Sequence, residues 1–177
     1  MILVIPSIDI RDGKCVRLIQ GMPGTEKAYS DDPVQMATLW RGENAKMLHV
    51  VDLDGALEGT MKNLPVVKKI IQTVEIPIQV GGGVRTYDQA KELFQSGAAR
   101  VVMSTAVIED PNLIKRLVAE FGPRKVVVAV DAKDNVVRMR GWQENTGLTA
   151  ISLGLNVKLL GVERILYTDI SRDGTLR

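Results

Sequence analysis

The chain contains two similar stretches whose aspartates, Asp9 and Asp131, lie 122 residues apart. The first stretch, IDIRDGKCVRL, covers residues 8–18, and the second, VDAKDNVVRM, covers residues 130–139. In both, an Asp ends an apolar run and is followed by a short polar turn and then by an apolar-basic segment. A repeat of about 120 residues that holds several strand-like runs indicates a duplicated half-domain.

Short apolar runs alternate with amphipathic helical patterns along the chain. The runs predict six strands, at Ile2–Ile5, Met47–Val51, Ile76–Val80, Val101–Met103, Val126–Val130 and Arg164–Thr168. Four intervening helices are predicted from their start signals, at Asp32-Pro33, Asn63-Leu64-Pro65, Thr86 with Gln89 and Asp110-Pro111, and a fifth is predicted roughly from Thr149 to Leu160. Strands that are apolar throughout are buried on both faces, and strict strand–helix alternation predicts a parallel sheet with right-handed crossovers.

Two architectures fit this pattern, an open doubly wound sheet and a closed (βα)8 barrel. The repeat favours the barrel, because about 120 residues hold four βα units and two such halves make eight. We therefore expect an α/β fold, a (βα)8 TIM barrel built from two (βα)4 half-barrels. Residues 1–177 would form a single phosphate-binding barrel domain that supplies strands 1–6 and lacks the last two or three βα units. Six parallel strands cannot close a barrel with normal shear, so open edges are expected.

Composition and charge narrow the class of protein. The chain is 45% hydrophobic, has 25% charged residues and carries a formal net charge of +2. These values predict a globular protein without a nucleic-acid or membrane partner. Cys15 is the one cysteine, so no internal disulfide is possible and a cytoplasmic location is the natural interpretation. The apolar N-terminus has no basic leader and is predicted to be a buried strand, not a signal peptide.

Catalytic residues of a (βα)8 barrel lie at the carboxyl ends of the strands. Asp9 and Asp131 hold this position on strands 1 and 5, which face each other across a barrel of eight strands. Two carboxylates placed in this way can act as general base and general acid. The alternative is that each Asp caps the turn that follows it, but a pair at matching positions favours the catalytic interpretation. The same rule selects Asp52 after strand 2, and Thr168 and Asp173 after strand 6.

A glycine run after strand 3 predicts a phosphate site. In Gly81-Gly82-Gly83-Val84-Arg85, successive backbone N–H groups can form an anion-binding nest, and the arginine adds positive charge. Ser104 and Thr105, at the end of strand 4, add hydroxyl donors from the adjacent loop. The alternative is a plain tight turn. If the second half repeats the first, a second phosphate site belongs to strands 7 and 8, and the ligand carries a phosphate at each end.

Two aromatic residues each leave two interpretations open. His49, the only histidine, lies near the end of strand 2 and either contacts a ligand or is a structural residue. Trp142, in the polar loop after strand 5, either stacks on a ligand over the barrel mouth or packs on the following helix. The sequence has no His, Cys and carboxylate cluster at metal-ligand spacing, so no metal is predicted. It has neither a Rossmann nor a P-loop pattern.

Five stretches closely resemble the phosphoribosylformimino-aminoimidazole carboxamide ribotide isomerases of histidine biosynthesis, and the resemblance covers the whole chain. They are IPSIDIRDGKCVRLIQG (5–21), HVVDLDGALEG (49–59), QVGGGVRT (79–86), DAKDNVVRMRGWQE (131–144) and TDISRDGTL (168–176). The sister family, the cyclase subunit of imidazole glycerol phosphate synthase, shares the fold and both Asp positions. It does not usually carry KCVRLIQG or GWQE, so the isomerase family is the better match.

The resemblance implies an Amadori rearrangement of a twice-phosphorylated ribonucleotide, from an aminoaldose to an aminoketose, without a cofactor or a metal. It implies that Asp9 is the base. The acid is Asp131 or its rival Asp173, with support from Thr168. The residues implied to bind the substrate are Gly82, Gly83, Arg85, Ser104 and Thr105 for one phosphate, and Arg17, His49 and Trp142 for the rest.

Family members are implied to be monomers that continue through two more βα units. Two alternatives to this isomerase stay open. One is an inactive phosphate-binding fragment that associates with another chain through its open edges. The other is a dual-substrate isomerase that also serves tryptophan biosynthesis.

Overall fold

The computed structural model describes residues 2–22 and 24–175. Its strands are β1 (Ser7–Arg11), β2 (Lys14–Arg17), β3 (Lys27–Ser30), β4 (Leu48–Asp52), β5 (Ile78–Gly81), β6 (Arg100–Met103), β7 (Val126–Lys133), β8 (Val136–Met139), β9 (Glu144–Thr149) and β10 (Arg164–Asp169). Its helices are α1 (Pro33–Gly42), α2 (Leu53–Glu58), α3 (Leu64–Thr73), α4 (Tyr87–Gln95), α5 (Thr105–Glu109), α6 (Pro111–Phe121) and α7 (Ala150–Leu159). Along these ranges, no helix has both the length and the apolar character that crossing a membrane requires.

Six strands form a parallel sheet in the order in which they occur in the chain: β1, β4, β5, β6, β7 and β10. A segment containing at least one helix joins each strand to the next, so the predicted α/β alternation is confirmed. The strand order never reverses, unlike that of a doubly wound sheet. Within the described residues no pairing joins β10 to β1, so the sheet is open there and the closed barrel stays a prediction.

The two faces of the sheet are covered differently. On one face, Ile10, Val50 and Ile78 belong to a single buried cluster that also contains side chains of the helices. Each fully buried side chain of this size contributes about 1.5–3 kcal/mol. The other face carries a small separate cluster of Val102, Val127 and Ala129 with Leu166 packed against it. The helices therefore lie on one face and leave the other free for a site.

Three predicted helix starts are confirmed in detail. Asp32 accepts hydrogen bonds from two backbone N–H groups in the first turn of α1, and Asp110 does the same for α6. Thr86 and Gln89 form a reciprocal capping box at the start of α4. A cap of this kind contributes typically about 1 kcal/mol. Local sequence therefore sets where these three helices begin.

The predicted first strand, Ile2–Ile5, is wrong. Side chains within it are up to 92% exposed, and β1 begins instead at Ser7. Pairing with β4 starts at Ser7 and His49, and the His49 N–H donates to the Pro6 carbonyl oxygen at 2.9 Å. Pro6 has no N–H of its own to donate, and no described strand lies beside residues 2–5. An apolar run without a partner strand therefore stays outside the sheet.

Two antiparallel hairpins extend the sheet, and the apolar pattern does not predict them. β2 folds back on β1 after a bend at Asp12-Gly13, and β8 folds back on β7 after a bend at Asp134-Asn135. All four bend residues have positive φ, which Asp, Asn and Gly tolerate best. β3 and β9 then add to the two hairpins by further antiparallel pairing. The polar turn that both repeats share is thus a hairpin bend.

The short helices α2 and α5 are also absent from the sequence prediction.

Candidate functional site

A cavity of about 720 Å³ lies at the carboxyl ends of the parallel strands, on the face that the helices leave free. The residues that the family resemblance assigns to catalysis or binding all line it: Asp9, Arg17, His49, Gly82, Gly83, Arg85, Ser104, Thr105, Asp131, Trp142, Thr168 and Asp173. They come from all six parallel strands or from the segments that follow them. The structure therefore brings the predicted residues into one site, while the role of each stays a prediction.

Asp9 lies on β1, where its carboxylate accepts a hydrogen bond of 2.9 Å from the Ser7 hydroxyl. Burial raises the pKa of Asp9 above its ordinary value, and the Ser7 hydrogen bond opposes that rise. The negative charge of Asp173 raises this pKa further, and the positive charge of Arg17 lowers it. A carboxylate whose pKa is raised is a stronger proton acceptor once it is ionised.

Asp131 lies on β7, and Thr168 is its pairing neighbour on β10. The Ser104 hydroxyl donates a long hydrogen bond of 3.5 Å to its carboxylate. Burial raises the pKa of Asp131, while the Thr168 hydroxyl, the Trp142 indole N–H and the Ser104 hydroxyl oppose the rise. The charge of Asp173 adds to it. A buried carboxyl group of this kind holds its proton to higher pH and can act as a general acid.

Asp173 lies in the loop after β10 and completes a group of three carboxyls. Burial raises the pKa of Asp173, and the positive charge of Arg17 lowers it. Because its charge also raises the pKa of Asp9 and Asp131, the protonation of each of these two groups depends on that of Asp173. Such a set can hold one acid and one base together. Within residues 2–22 and 24–175, no group of three or more His, Cys, Asp or Glu is arranged to hold a metal ion.

Gly82 and Gly83 form a tight turn against the start of α2. Their φ values are +91° and +77°. A side chain at Gly82 would overlap the backbone of Asp52, and one at Gly83 would overlap the backbone of Gly55. Packing alone therefore requires glycine at both positions, as the tight-turn alternative expects. The turn also lines the cavity, so close packing and anion binding do not exclude each other.

Arg85 follows the glycine turn, and its guanidinium lies beside α2. The guanidinium Nη2 donates to the Ala56 carbonyl oxygen at 3.3 Å, and the side chain lies over Gly59. The backbone N–H of Arg85 donates to the Gln89 side chain at 2.8 Å. That N–H is therefore occupied, and the guanidinium is the group of Arg85 that can meet an anion.

Ser104 and Thr105 lie at the start of α5 and are not equivalent. The Ser104 hydroxyl donates its proton to Asp131. The Thr105 hydroxyl instead accepts the Arg140 N–H at 3.0 Å, and among residues 2–22 and 24–175 its own O–H has no acceptor. Because a phosphate needs donors, Thr105 is better placed than Ser104 for the predicted phosphate contact.

His49 lies on β4 between Ser7 and Gln79 of the neighbouring strands. Its Nδ1 is buried and has no hydrogen-bond partner among the described residues. Burial lowers the pKa of His49 to about 4, against a smaller opposing effect of the Gln79 backbone. A ligand in the cavity would therefore meet a neutral imidazole. His49 lines the cavity, but its Nδ1 is itself buried, so the ligand-contact and the structural interpretations of this residue both stay open.

Trp142 lies at the cavity mouth, in the bend between β8 and β9. Its φ is +68°, a value that large side chains adopt rarely. Its ring lies directly against Gly21, where any side chain would overlap it, and its indole N–H faces Asp131. The ring is thus held between a neighbouring loop and a candidate acid, and stacking on a ligand stays a prediction.

Sequence reasoning misses the apolar wall of the cavity. Residues of this wall are Tyr29, Met36, Trp40, Leu57 and Met139. Three of them belong to β3, α2 and β8, elements that the apolar pattern does not predict. The other two belong to α1, where they also pack against the buried core cluster. An apolar wall with a few convergent polar groups is typical of a small-molecule site.

Asp52 ends β4 yet has a structural role. It is fully buried, and its carboxylate accepts a hydrogen bond of 2.9 Å from the Gly55 N–H. It also accepts from the backbone N–H and the side-chain amide of Asn63, at 2.8 and 2.7 Å. These bonds cap α2 and tie it to the start of α3. A position at a strand end therefore does not by itself identify a cavity residue.

Comparison with known proteins gives consistent matches along the chain. The family model described as histidine biosynthesis protein matches residues 3–177. A curated relative from Prosthecochloris aestuarii is 48% identical over 99% of this chain and 67% of its own length. One from Chloroherpeton thalassium is 48% identical over 98% and 66%, and one from Salinibacter ruber is 49% identical over 99% and 68%.

All three relatives carry the same name, 1-(5-phosphoribosyl)-5-((5-phosphoribosylamino)methylideneamino) imidazole-4-carboxamide isomerase. The chain spans about two thirds of the length of these relatives, between 66% and 68%. The family resemblance of the five stretches is thereby confirmed. The chain belongs to the histidine biosynthesis protein family.

Proposed function

We propose that this chain carries the catalytic residues of an isomerase that performs the Amadori rearrangement of histidine biosynthesis. The observation that carries the proposal is the placement of Asp9 and Asp131 at equivalent positions of two hairpins, in one cavity with Asp173. The relatives' shared name supplies the substrate class, an imidazole carboxamide with two phosphoribosyl groups. The reaction converts the aminoaldose form of one ribose into the aminoketose form.

The rearrangement needs one acid and one base. The acid donates a proton to the ribose ring oxygen, the C1′–oxygen bond breaks, and the nitrogen lone pair forms a protonated Schiff base. The base then removes the C2′ proton, and the electron pair left on C2′ moves toward the nitrogen to give an enolamine. A proton returns to C1′ as the enolamine tautomerises to the ketone. The protonated imine is itself the electron sink, so the proposed reaction uses no cofactor.

The three carboxyl groups divide these roles. The family resemblance implies that Asp9 is the base and Asp131 the acid, and we propose these roles. Burial raises the pKa of both groups, so each is a stronger proton acceptor when ionised and holds its proton to higher pH when protonated. Asp173 is the rival acid, because burial also raises its pKa and it lines the same cavity. Thr168 supports Asp131 through the hydroxyl that faces the carboxylate.

One phosphate of the substrate is proposed to bind after β5 and β6. The Gly82-Gly83 turn can offer backbone N–H groups, Arg85 a positive charge and Thr105 its O–H. Ser104 borders the same place, although its own proton goes to Asp131. The rest of the substrate is proposed to contact Arg17, His49 and Trp142.

The proposed architecture is a single (βα)8 barrel domain built from two (βα)4 halves. The unreversed strand order, the helices on one face and the two equivalent hairpins support it. The additional third of the relatives' length has room for two more βα units, which would carry the second phosphate site. We propose that the complete barrel is a cytoplasmic monomer.

The 177-residue chain is proposed to associate through its open side. On α7, Ile151, Leu155 and Leu159 follow one another at helical spacing and are 72%, 61% and 82% exposed. Ile165 and Tyr167 of β10, the last strand of the open sheet, are also exposed. Exposed apolar surface of this kind marks an interaction site in a globular protein.

Turnover of the aminoaldose by the purified chain, followed by its absorbance change, tests the proposed function. Calorimetric titration with the same substrate measures binding separately from catalysis. Turnover is the expected result. Binding without turnover would overturn the catalytic proposal and favour the phosphate-binding fragment, and absence of both would overturn the assignment of the cavity.

A further inference from the structure

The loop after β2 binds the loop that carries Asp173. Residues Leu18–Gly21, which we name the strap, follow directly on β2. The backbone N–H of Gln20 donates to the Asp173 carbonyl oxygen at 3.0 Å. The Gln20 side chain donates from Nε2 to the Ser171 carbonyl oxygen at 2.7 Å. Two hydrogen bonds from one residue thus hold the backbone of the Asp173 loop.

The strap and the Asp173 loop are also closely packed. Gly174 has a φ of +73°, and a side chain there would overlap the Leu18 carbonyl group. Gln20 itself has a φ of +51°, in the left-handed region, where a non-glycine residue is strained. Such backbone strain persists only where the surrounding contacts hold it. The contacts of Gln20 with the Asp173 loop are of that kind.

The strap also contacts the loop that carries Trp142. Gly21, the last strap residue, lies against the Trp142 ring so closely that no side chain fits between them. The indole N–H of Trp142 faces Asp131. The strap therefore contacts two loops. One loop carries Asp173, and the other carries Trp142, the neighbour of Asp131; these two aspartates are the candidate acids.

Resting on the function proposed above, we propose that Gln20 is a positioning residue through which the strap holds Asp173 over the cavity beside Asp131. The proposed role of Gln20 involves no contact with the substrate. β1 carries Asp9 and continues through β2 into the strap, so the base and the contact that holds Asp173 lie on one stretch of chain. A catalytic group must be held within about 0.5 Å of its productive position, and the strap supplies this restraint to a loop.

The charged groups around Asp173 give the restraint a measurable signature. They are Arg17 from β2, Asp9 from β1 and Asp131 from β7. Burial is the main cause of the raised pKa of Asp173, so release of its loop to solvent should lower that pKa. Its negative charge would also move away from Asp9 and Asp131, whose pKa values should fall as well.

Two substitutions of Gln20 test the proposal. Gln20→Met keeps the length of the side chain without its amide donor, and Gln20→Ala removes the side chain. Gln72→Ala, at an exposed glutamine of α3, is the matched control. In each protein, NMR titration follows the side-chain carboxyl carbons of Asp9, Asp131 and Asp173. Steady-state kinetics give kcat and KM on the aminoaldose.

Both Gln20 variants should lower the pKa of Asp173 and lower kcat by up to about tenfold, the upper end for one lost hydrogen bond, with a smaller change in KM. The Gln72 control should change neither. An unchanged kcat overturns the positioning role. A fall in kcat without a shift of the Asp173 titration also overturns it, because a general structural defect would do the same.

The two proposals fail in different ways. An inactive parent chain would overturn the proposed function, and the NMR titration would then decide the strap proposal alone, since it needs no turnover. In that case an unchanged Asp173 titration in both Gln20 variants overturns the strap. An active parent chain with unaffected Gln20 variants would overturn the strap and leave the proposed function in place.

Discussion

Asp9 and Asp131 occupy equivalent positions of two β-hairpins. Each lies two residues before the pair that closes its hairpin, Arg11–Lys14 in one and Lys133–Val136 in the other. Both hairpins bend at residues with positive φ, and both aspartates line the same cavity. The sequence repeat therefore reproduces the position of a carboxyl group as well as a strand. Each hairpin therefore offers two aspartates that can be compared, one in the cavity and one at the exposed bend: Asp9 with Asp12, and Asp131 with Asp134.

Asp9→Asn should lower kcat by about 100- to 10,000-fold and leave substrate binding within a few-fold. Asn can still accept the Ser7 hydrogen bond, but it cannot take up the C2′ proton. Asp12→Asn is the matched control, since Asp12 is exposed at the bend of the same hairpin and has a φ of +48°, which Asn tolerates. Turnover assays give kcat, and calorimetric titration gives the affinity for the substrate. A loss of binding as large as the loss of rate would count against a purely catalytic role.

Asp131→Asn should stabilise the fold at neutral pH. Burial holds the pKa of Asp131 above the ordinary value of 3.8 in the folded chain, so the native state binds this proton more tightly than the unfolded state does. The free energy of unfolding therefore falls as pH rises from the ordinary pKa to the folded-state pKa, and the loss persists above it. Asn has no such loss, and we expect a gain of about 1 kcal/mol.

Urea unfolding of the two proteins across the acidic range measures this effect of Asp131. The advantage of the Asn variant should shrink as pH falls toward the ordinary carboxyl pKa, where Asp131 is protonated in both states. Asp134→Asn, at the exposed bend of the same hairpin, should show no such pH-dependent gain. A gain from Asp131→Asn that stays constant with pH would contradict the assigned cause.

Local signals account for the parts of the fold that the sequence predicted. The caps at Asp32 and Thr86 depend on residues within one helical turn, so a short stretch determines them. The strand predicted at Ile2–Ile5 failed because a strand also needs a partner, and none of the described strands lies beside these residues. The hairpins could have been found from their bends, since Asp12-Gly13 is a common hairpin turn.

The site was predictable to the extent that parallel strands bring their carboxyl ends to one side of a sheet. That rule could not separate Asp9 from Asp52, because both end strands. The difference comes from Asn63, which binds the Asp52 carboxylate from outside the strand. The strap was not predictable either, since the contact between Gln20 and Ser171 joins loops 151 residues apart.

Gly82→Ala should destabilise the fold by more than about 2 kcal/mol, because the new methyl group would overlap the Asp52 backbone. Gly122→Ala is the matched control. Gly122 has a φ of +97°, close to the +91° of Gly82, but open space surrounds its missing side chain. It should lose only the cost of the backbone conformation, of order 1–3 kcal/mol, so the loss for Gly82→Ala should be clearly the larger of the two. Equal losses in denaturant unfolding would show that close packing of the glycine turn is not the cause.

Asn63→Ala should cost about 2–4 kcal/mol of unfolding free energy, because it leaves the buried Asp52 carboxylate short of donors. It also removes the acceptor for the Gly13 N–H, which donates to Asn63 Oδ1 at 3.0 Å. Asn156→Ala, at an exposed position of α7, should be neutral or slightly stabilising. Chemical denaturation compares the two variants. A loss below about 1 kcal/mol for Asn63→Ala would mean that water replaces the missing donor.

Leu155→Glu should shift the 177-residue chain toward the monomer. Leu155 lies at the middle of the exposed apolar row on α7, 61% exposed between Ile151 and Leu159, and a charge there cannot be buried in a contact between copies without a large desolvation cost. Leu39→Glu, at a 52% exposed position of α1, is the control and should leave association unchanged. Sedimentation velocity over a concentration series measures the distribution. Equal monomer fractions for both variants and the parent would place any association elsewhere on the molecule, because the α7 row is the surface that this substitution disrupts.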